Sequence, residues 1–101
     1  MYIRVRLTSL TENEVEWVLP DYRLTTIWPK RGDAAFPLLG WLDEYGVMRF
    51  NNVQMKPLLL ELESLRDSHT ELEIRTFLQS VIDLVLTRVG RAHYFVDFHG
   101  Q

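Results

Sequence analysis

Seven apolar residues, Ile74, Phe77, Leu78, Val81, Ile82, Val85 and Val89, recur at intervals of three and four along one stretch of this chain. At 3.6 residues per turn that spacing draws a single stripe down an α-helix, while Arg75, Gln79, Asp83 and Thr87 lie away from it. Two capping-box spacings precede the stripe, Ser68 with Glu71 and Thr70 with Glu73, and Gly90 offers a left-handed stop beyond it. A helix with one apolar stripe must lay it on a second layer. The rest of the chain therefore has to supply that layer.

A second helix is predicted just upstream. Asn51 or Asn52 can cap it by accepting from an orphaned backbone N–H, an irregular turn at 53–56 opens it, Pro57 suits its first regular residue, and Leu58, Leu59, Leu62 and Leu65 make its buried stripe to about Arg66. The remaining segments alternate with a period of two. Residues 2–10 set Ile3, Val5 and Leu7 against Arg4, Arg6 and Thr8, and residues 15–19 resume the alternation after the break at 11–14, which predicts a hairpin. A short helix capped by Thr11 and Glu14 competes for the second strand, but Pro20 would end it early.

Three of the four prolines fall between residues 20 and 37, so that section reads as connection, with a short strand or turn at 24–28. Residues 38–42 and 47–50 flank Asp43-Glu44-Tyr45-Gly46, a type I turn pattern whose glycine can take positive φ, and predict a second hairpin. Residues 92–99 alternate again, with Tyr94, Val96 and Phe98 on one side and His93, Phe95, Asp97 and His99 on the other. Strands first, then two helices, then a C-terminal strand predict an α+β two-layer sandwich, a largely antiparallel sheet covered on one face by two helices, as a single domain over residues 1–101.

Composition narrows the function classes. The chain has no cysteine, which excludes a disulfide framework, thiolate metal ligation and thiol catalysis. No apolar run approaches the roughly 20 residues of a spanning helix, and the start lacks a secretory h-region, so a cytoplasmic protein with no membrane partner is expected. Formal net charge is -3, and no nucleic-acid partner is expected, although Arg4, Arg6, Lys30 and Arg31 could gather into a local basic patch. Serines lack the G-x-S-x-G elbow, and no glycine run joins a strand to a helix, so neither hydrolase nor nucleotide chemistry is supported and no cofactor is expected.

The segments Phe36-Pro37-Leu38-Leu39, Asp43, Tyr45-Gly46, Phe50-Asn51 and Gln54-Met55, with His93, Tyr94, Phe98 and Gly100 in the tail, resemble a group of small bacterial proteins. Those relatives carry F-P-L-L, D-x-Y-G, F-N-x-x-Q-M and H-x-Y-x-x-F-x-G-D, with no assigned activity. The resemblance covers about the C-terminal two-thirds and implies kinship without a catalytic role. This chain departs from the pattern at its end, where Gln101 stands in place of the acidic residue.

Two sets of residues are candidates for function. Three tryptophans, Trp17, Trp28 and Trp41, are more than so small a core readily hides, so some are expected at the surface, where with Tyr22 and Tyr45 they would form a protein interface. His93, Asp97 and His99 share a face of the last strand and are metal-ligand types, and Asp43 sits with Tyr45 on the preceding turn. Residues two apart on a strand are about 6.5–7 Å apart, so one ion cannot take all three strand residues without distortion. Carboxylates such as Glu61 and Glu63 point to different sides of their helix and lack the opposed placement of an acid–base pair. The expected function is a non-enzymatic protein-interaction module of a bacterial cytoplasm, with another protein or self-association as its partner, and an inhibitor or immunity-like protein that neutralises a partner by occupying it is one form of that reading. The alternative is a small enzyme or metal binder built on Asp43, His93, Asp97 and His99.

Overall fold

The computed structural model describes residues 2–10, 15–21, 24 and 26–100, with Val15 described by its backbone alone. The element order is β1 (Ile3–Ser9), β2 (Val15–Val18), a 3₁₀ turn (Leu39–Trp41), β3 (Val47–Phe50), α1 (Met55–Ser68), α2 (Leu72–Leu86) and β4 (Tyr94–Gly100). The strands form one antiparallel sheet in the order β2-β1-β4-β3, and the two helices cover one of its faces in an α+β arrangement. Among the described residues no helix is long and apolar enough to cross a membrane.

The topology follows from the helix pair. Two consecutive helices joined by a short turn return the chain to the end it left, so the strand that follows them runs antiparallel to the strand before them. β4 accordingly pairs with β3 on one side, Met48 opposite Phe98 and Phe50 opposite Val96, and with β1 on the other, from Ile3 opposite Gly100 to Ser9 opposite Tyr94. Alternation then sorts the side chains. Ile3, Val5, Leu7, Phe50, Val96 and Phe98 face the helices and are buried. Both predicted stripes meet them: Leu58, Leu59, Leu62 and Leu65 of α1, and Ile74, Phe77, Leu78, Val81, Ile82 and Val85 of α2, are all buried. Each such side chain stabilises the fold by about 1.5–3 kcal/mol when taken fully out of water. Trp28 joins this core edge-on to Phe77 and Phe98, with ring centroids 6.0 and 5.5 Å away.

Several local expectations are corrected. Residues 38–42 do not form a strand, so there is no second hairpin around 43–46; Leu39–Trp41 is a 3₁₀ turn and β3 pairs with β4 instead. The cause lies in α1. The buried Glu61 accepts hydrogen bonds from the N–H groups of Leu38 (3.0 and 3.1 Å) and Leu39 (2.9 Å), which fixes that segment as a turn against the helix. Residues 24 and 26–28 likewise form no strand.

Helix α1 opens earlier than predicted, at Met55, and leaves Pro57 inside the first turn, where its missing N–H costs no intrahelical bond. Asn51 and Gln54 close the entry reciprocally, each backbone N–H donating to the other's side-chain oxygen at 2.9 and 3.0 Å. Neither capping box before α2 forms. Its N-cap residue is Glu71 without a side-chain bond, and the Ser68 hydroxyl donates backwards to the Leu65 carbonyl at 2.6 Å. Arg75 caps α1 from across the turn, donating to the carbonyls of Arg66 and His69 at 3.1 and 3.2 Å. Gly90 takes the expected left-handed φ of 72°, but Gly46 does not; a Cβ there would stand 2.5 Å from the Asp43 carboxylate, which would have to turn aside. The break at 11–14 and its capping pair, together with Gln101, lie outside the described residues.

Candidate interaction face

Neither helix covers the second face of the sheet, and register decides what is displayed there. Trp17 stands opposite Arg6, Arg6 opposite Asp97, and Asp97 opposite Arg49, one row running across β2, β1, β4 and β3. Arg4 and His99 form part of the next row, Thr8 and Phe95 part of the row on the other side. These residues alternate with the buried ones, so the period of two that builds the core also builds this surface.

Asp97 organises the row. Its side chain is 0% exposed although it lies on the helix-free face, because arginines close over it from both neighbouring strands. Arg49 binds it in a fork, Nε to Oδ1 at 2.7 Å and Nη2 to Oδ2 at 2.9 Å, while Arg6 Nη2 and the Thr8 hydroxyl donate to Oδ2 at 2.8 and 3.1 Å. Burial pushes the Asp97 carboxyl up, but the hydrogen bonds from Arg49 and Arg6 outweigh it and hold the group below the usual carboxylate range. At neutral pH it is an anion that orients two guanidiniums.

Trp17 is the aromatic member of the face. It is 36% exposed, with Arg4 and Arg6 guanidiniums 4.8 and 5.0 Å from its ring centroid and the His99 ring edge-on at 5.2 Å. Arg49 lies 4.8 Å over Phe95 in the same way. Burial and the nearby Arg6 charge lower His99 below the ordinary imidazole range, with Asp97 pulling in the opposite direction. Among the described residues, the His99 Nε2 and the Nε atoms of Arg4 and Arg6 are buried without a hydrogen-bond partner. Among the described residues of this face, three guanidiniums stand against the one carboxylate.

The candidate residues thus divide. Trp17 belongs to the face, Trp28 to the core, and Trp41, 51% exposed, lies under Arg31 at 5.8 Å in the loop region. Arg31 is therefore engaged with its own tryptophan. Tyr45 is 81% exposed on the turn where the Asp43 carboxylate accepts from its backbone N–H at 2.9 Å. Tyr22 lies outside the described residues. His93 is not part of β4: it precedes the strand, exposed, with a left-handed φ of 70°. Asp97 and His99 do share the helix-free face, but the Asp97 oxygens are occupied by Arg6, Arg49 and Thr8. Among the described residues no three His, Asp or Glu side chains converge as a metal cage would require. His69, in the turn between the helices, is half-buried with Nε2 2.9 Å from the Ile27 carbonyl.

Sequence reading singled out Trp17, Asp97, His99 and the pair Arg4 and Arg6, but not Arg49, Thr8 or Phe95. Period-two alternation carries the missing signal, since each occupies an outward position of its strand; what it lacks is the pairing order of the strands. Comparison of the chain with protein-family models, curated proteins and solved structures finds no significant match, so the likeness to small bacterial proteins rests on the quoted segments alone.

Proposed function

We propose that this chain is a non-enzymatic protein-interaction module that docks the helix-free face of its sheet on an acidic surface of a partner protein in a bacterial cytoplasm. The observation that carries this reading is the row Trp17–Arg6–Asp97–Arg49, an exposed tryptophan set among guanidiniums on a face no helix covers. Tryptophan and arginine dominate the energetics of protein interfaces, and arginines already oriented by a buried carboxylate lose little freedom on binding. An inhibitor or immunity-like role, in which the module silences a partner by covering it, is the form of this reading that asks least of the chain: a rigid surface of one charge and no chemistry.

An acidic protein is favoured over a nucleic acid because the three guanidiniums of this face belong to a chain whose formal net charge is -3. The test is titration of the purified chain with poly-L-glutamate and, in parallel, with a single-stranded oligonucleotide of equal charge. Salt-sensitive binding of poly-L-glutamate, weakened at least tenfold by Arg4→Glu, is the expected result. Tighter binding of the oligonucleotide would replace the reading with nucleic-acid recognition. Binding of neither would remove it.

A further inference from the structure

On the footing of that reading, we infer that the partner contributes an extended segment that joins the sheet as a fifth strand beside β2, with acidic side chains on the Trp17 side and apolar and basic side chains on the other. β2 is an edge strand: it pairs with β1, and no strand lies on its outer side among the described residues. Such an edge presents backbone donors and acceptors to any segment that can lie along it. Side chains alternate across the added strand as across β2 itself, so a partner strand meets two different surfaces at once.

One surface is the basic face. Trp17 points into it beside Arg4 and Arg6, which calls for carboxylates at alternate positions of the added strand. The other is a groove between β2 and α2. Val18, Leu24 and Phe77 line it, Leu19 and Leu72 stand on its rim at 58% and 77% exposure, and the open volume is about 460 Å³. It continues along α2 past Ser80 into a second hollow between Glu16 and Thr87. Glu16, Glu73 and Asp83 lie along this groove, and no lysine or arginine lines it among the described residues. Apolar residues flanked by lysine or arginine match its floor and rim.

Charge also argues against a second copy as the occupant. Pairing β2 with its own twin about a two-fold axis keeps both faces in register, which sets Glu16 and its neighbouring carboxylates toward their own copies and does the same for the arginines. A segment with the alternation described meets opposite charge on both sides.

The probe is the synthetic peptide Lys-Glu-Leu-Glu-Val-Glu-Lys, titrated into the isotopically labelled chain while the amide resonances of Val15–Val18 are followed. Its scrambled relative Glu-Glu-Leu-Val-Glu-Lys-Lys and two N-methylated forms, one blocked at Leu and Val and the other at the three Glu residues, are run beside it. In a strand, residues whose side chains share a face also share the direction of their N–H groups, so only one N-methylated form can interrupt the pairing. We expect shifts at β2, at least tenfold weaker binding of the scramble and of one N-methylated form, retention of the other, and about fivefold weakening by Glu73→Lys. Equal binding of the peptide and the scramble, equal behaviour of both N-methylated forms, or absence of binding overturns the strand pairing. If poly-L-glutamate still binds through Arg4 in that case, the pairing alone has failed; if it does not, the interaction reading has failed with it.

Discussion

Asp97 shows how a single residue converts an acidic chain into one with a basic face. Its oxygens accept from Arg49, Arg6 and Thr8, so removing the charge leaves two guanidiniums facing a group that cannot hold them both. Asp97→Asn keeps the shape, and we expect it to lower stability by about 1–3 kcal/mol in urea denaturation, the cost of weakening a buried, charge-assisted network whose arginines can still turn to water. The pH dependence follows from the same geometry. Asp97 is held below its ordinary value when folded, so its contribution is present above the unfolded value near about 3.9 and is lost as pH falls below it. His99 is also lowered, so the unfolded chain takes up its proton first, and stability declines as pH falls through about 6.5 toward the lowered folded value. Both groups act in one direction. Melting curves between pH 7 and pH 5 should show declining stability, and His99→Gln should flatten that decline; an unchanged slope would mean that His99 is solvated. None of this was legible from sequence, because Asp97 lies 91 residues from Arg6 and 48 from Arg49. Residue type marked Asp97 as a possible ligand, and only the pairing of strands reveals it as the partner of arginines.

At the scale of elements, local period was enough wherever a segment makes its own structure. β1 and α2 were readable because alternation and the three-four spacing are properties of the segment itself. The 3₁₀ turn at Leu39–Trp41 was not, because its conformation is imposed by a carboxylate on α1. In sequence Glu61 is one of two helix carboxylates without the placement of an acid–base pair. It is buried, and Glu61→Ala would strand the N–H groups of Leu38 and Leu39; we expect a loss of about 2–3 kcal/mol, with Glu61→Gln losing less, measured by chemical denaturation. The turn at 43–46 invites a different test. A Cβ at Gly46 meets the Asp43 carboxylate, which also accepts from the Tyr45 N–H, so Gly46→Val should cost about 1 kcal/mol or more through displacement of that bond. An equal loss in an Asp43→Ala background would show that the carboxylate is not the obstacle.

Across the sheet and its edge groove, charge is sorted by face: Arg4, Arg6 and Arg49 lie on the helix-free side, while Glu16, Glu73 and Asp83 lie along the groove on the helix side, with Arg66 and Arg75 in the hollow beyond Asp83. Face-to-face and edge-to-edge contacts between copies therefore oppose like charge. Light scattering over a concentration series at low salt should find no growth in mass, and added salt should permit association by screening that repulsion. Concentration-dependent dimers at low salt would point to contacts outside both charged surfaces, with the exposed Trp41 and Tyr45 as the first place to look.

The central pair of the sheet joins β1 to β4, with Ile3 opposite Gly100 at one end and Ser9 opposite Tyr94 at the other. The two points where a tether would be attached, residues 3 and 100, thus sit side by side. Tension applied between them loads the ladder one rung at a time, as a zipper opens, instead of shearing all its bonds together. The core of this fold, resistant to heat and denaturant in proportion to what it buries, should yield to a small force pulled from those two residues.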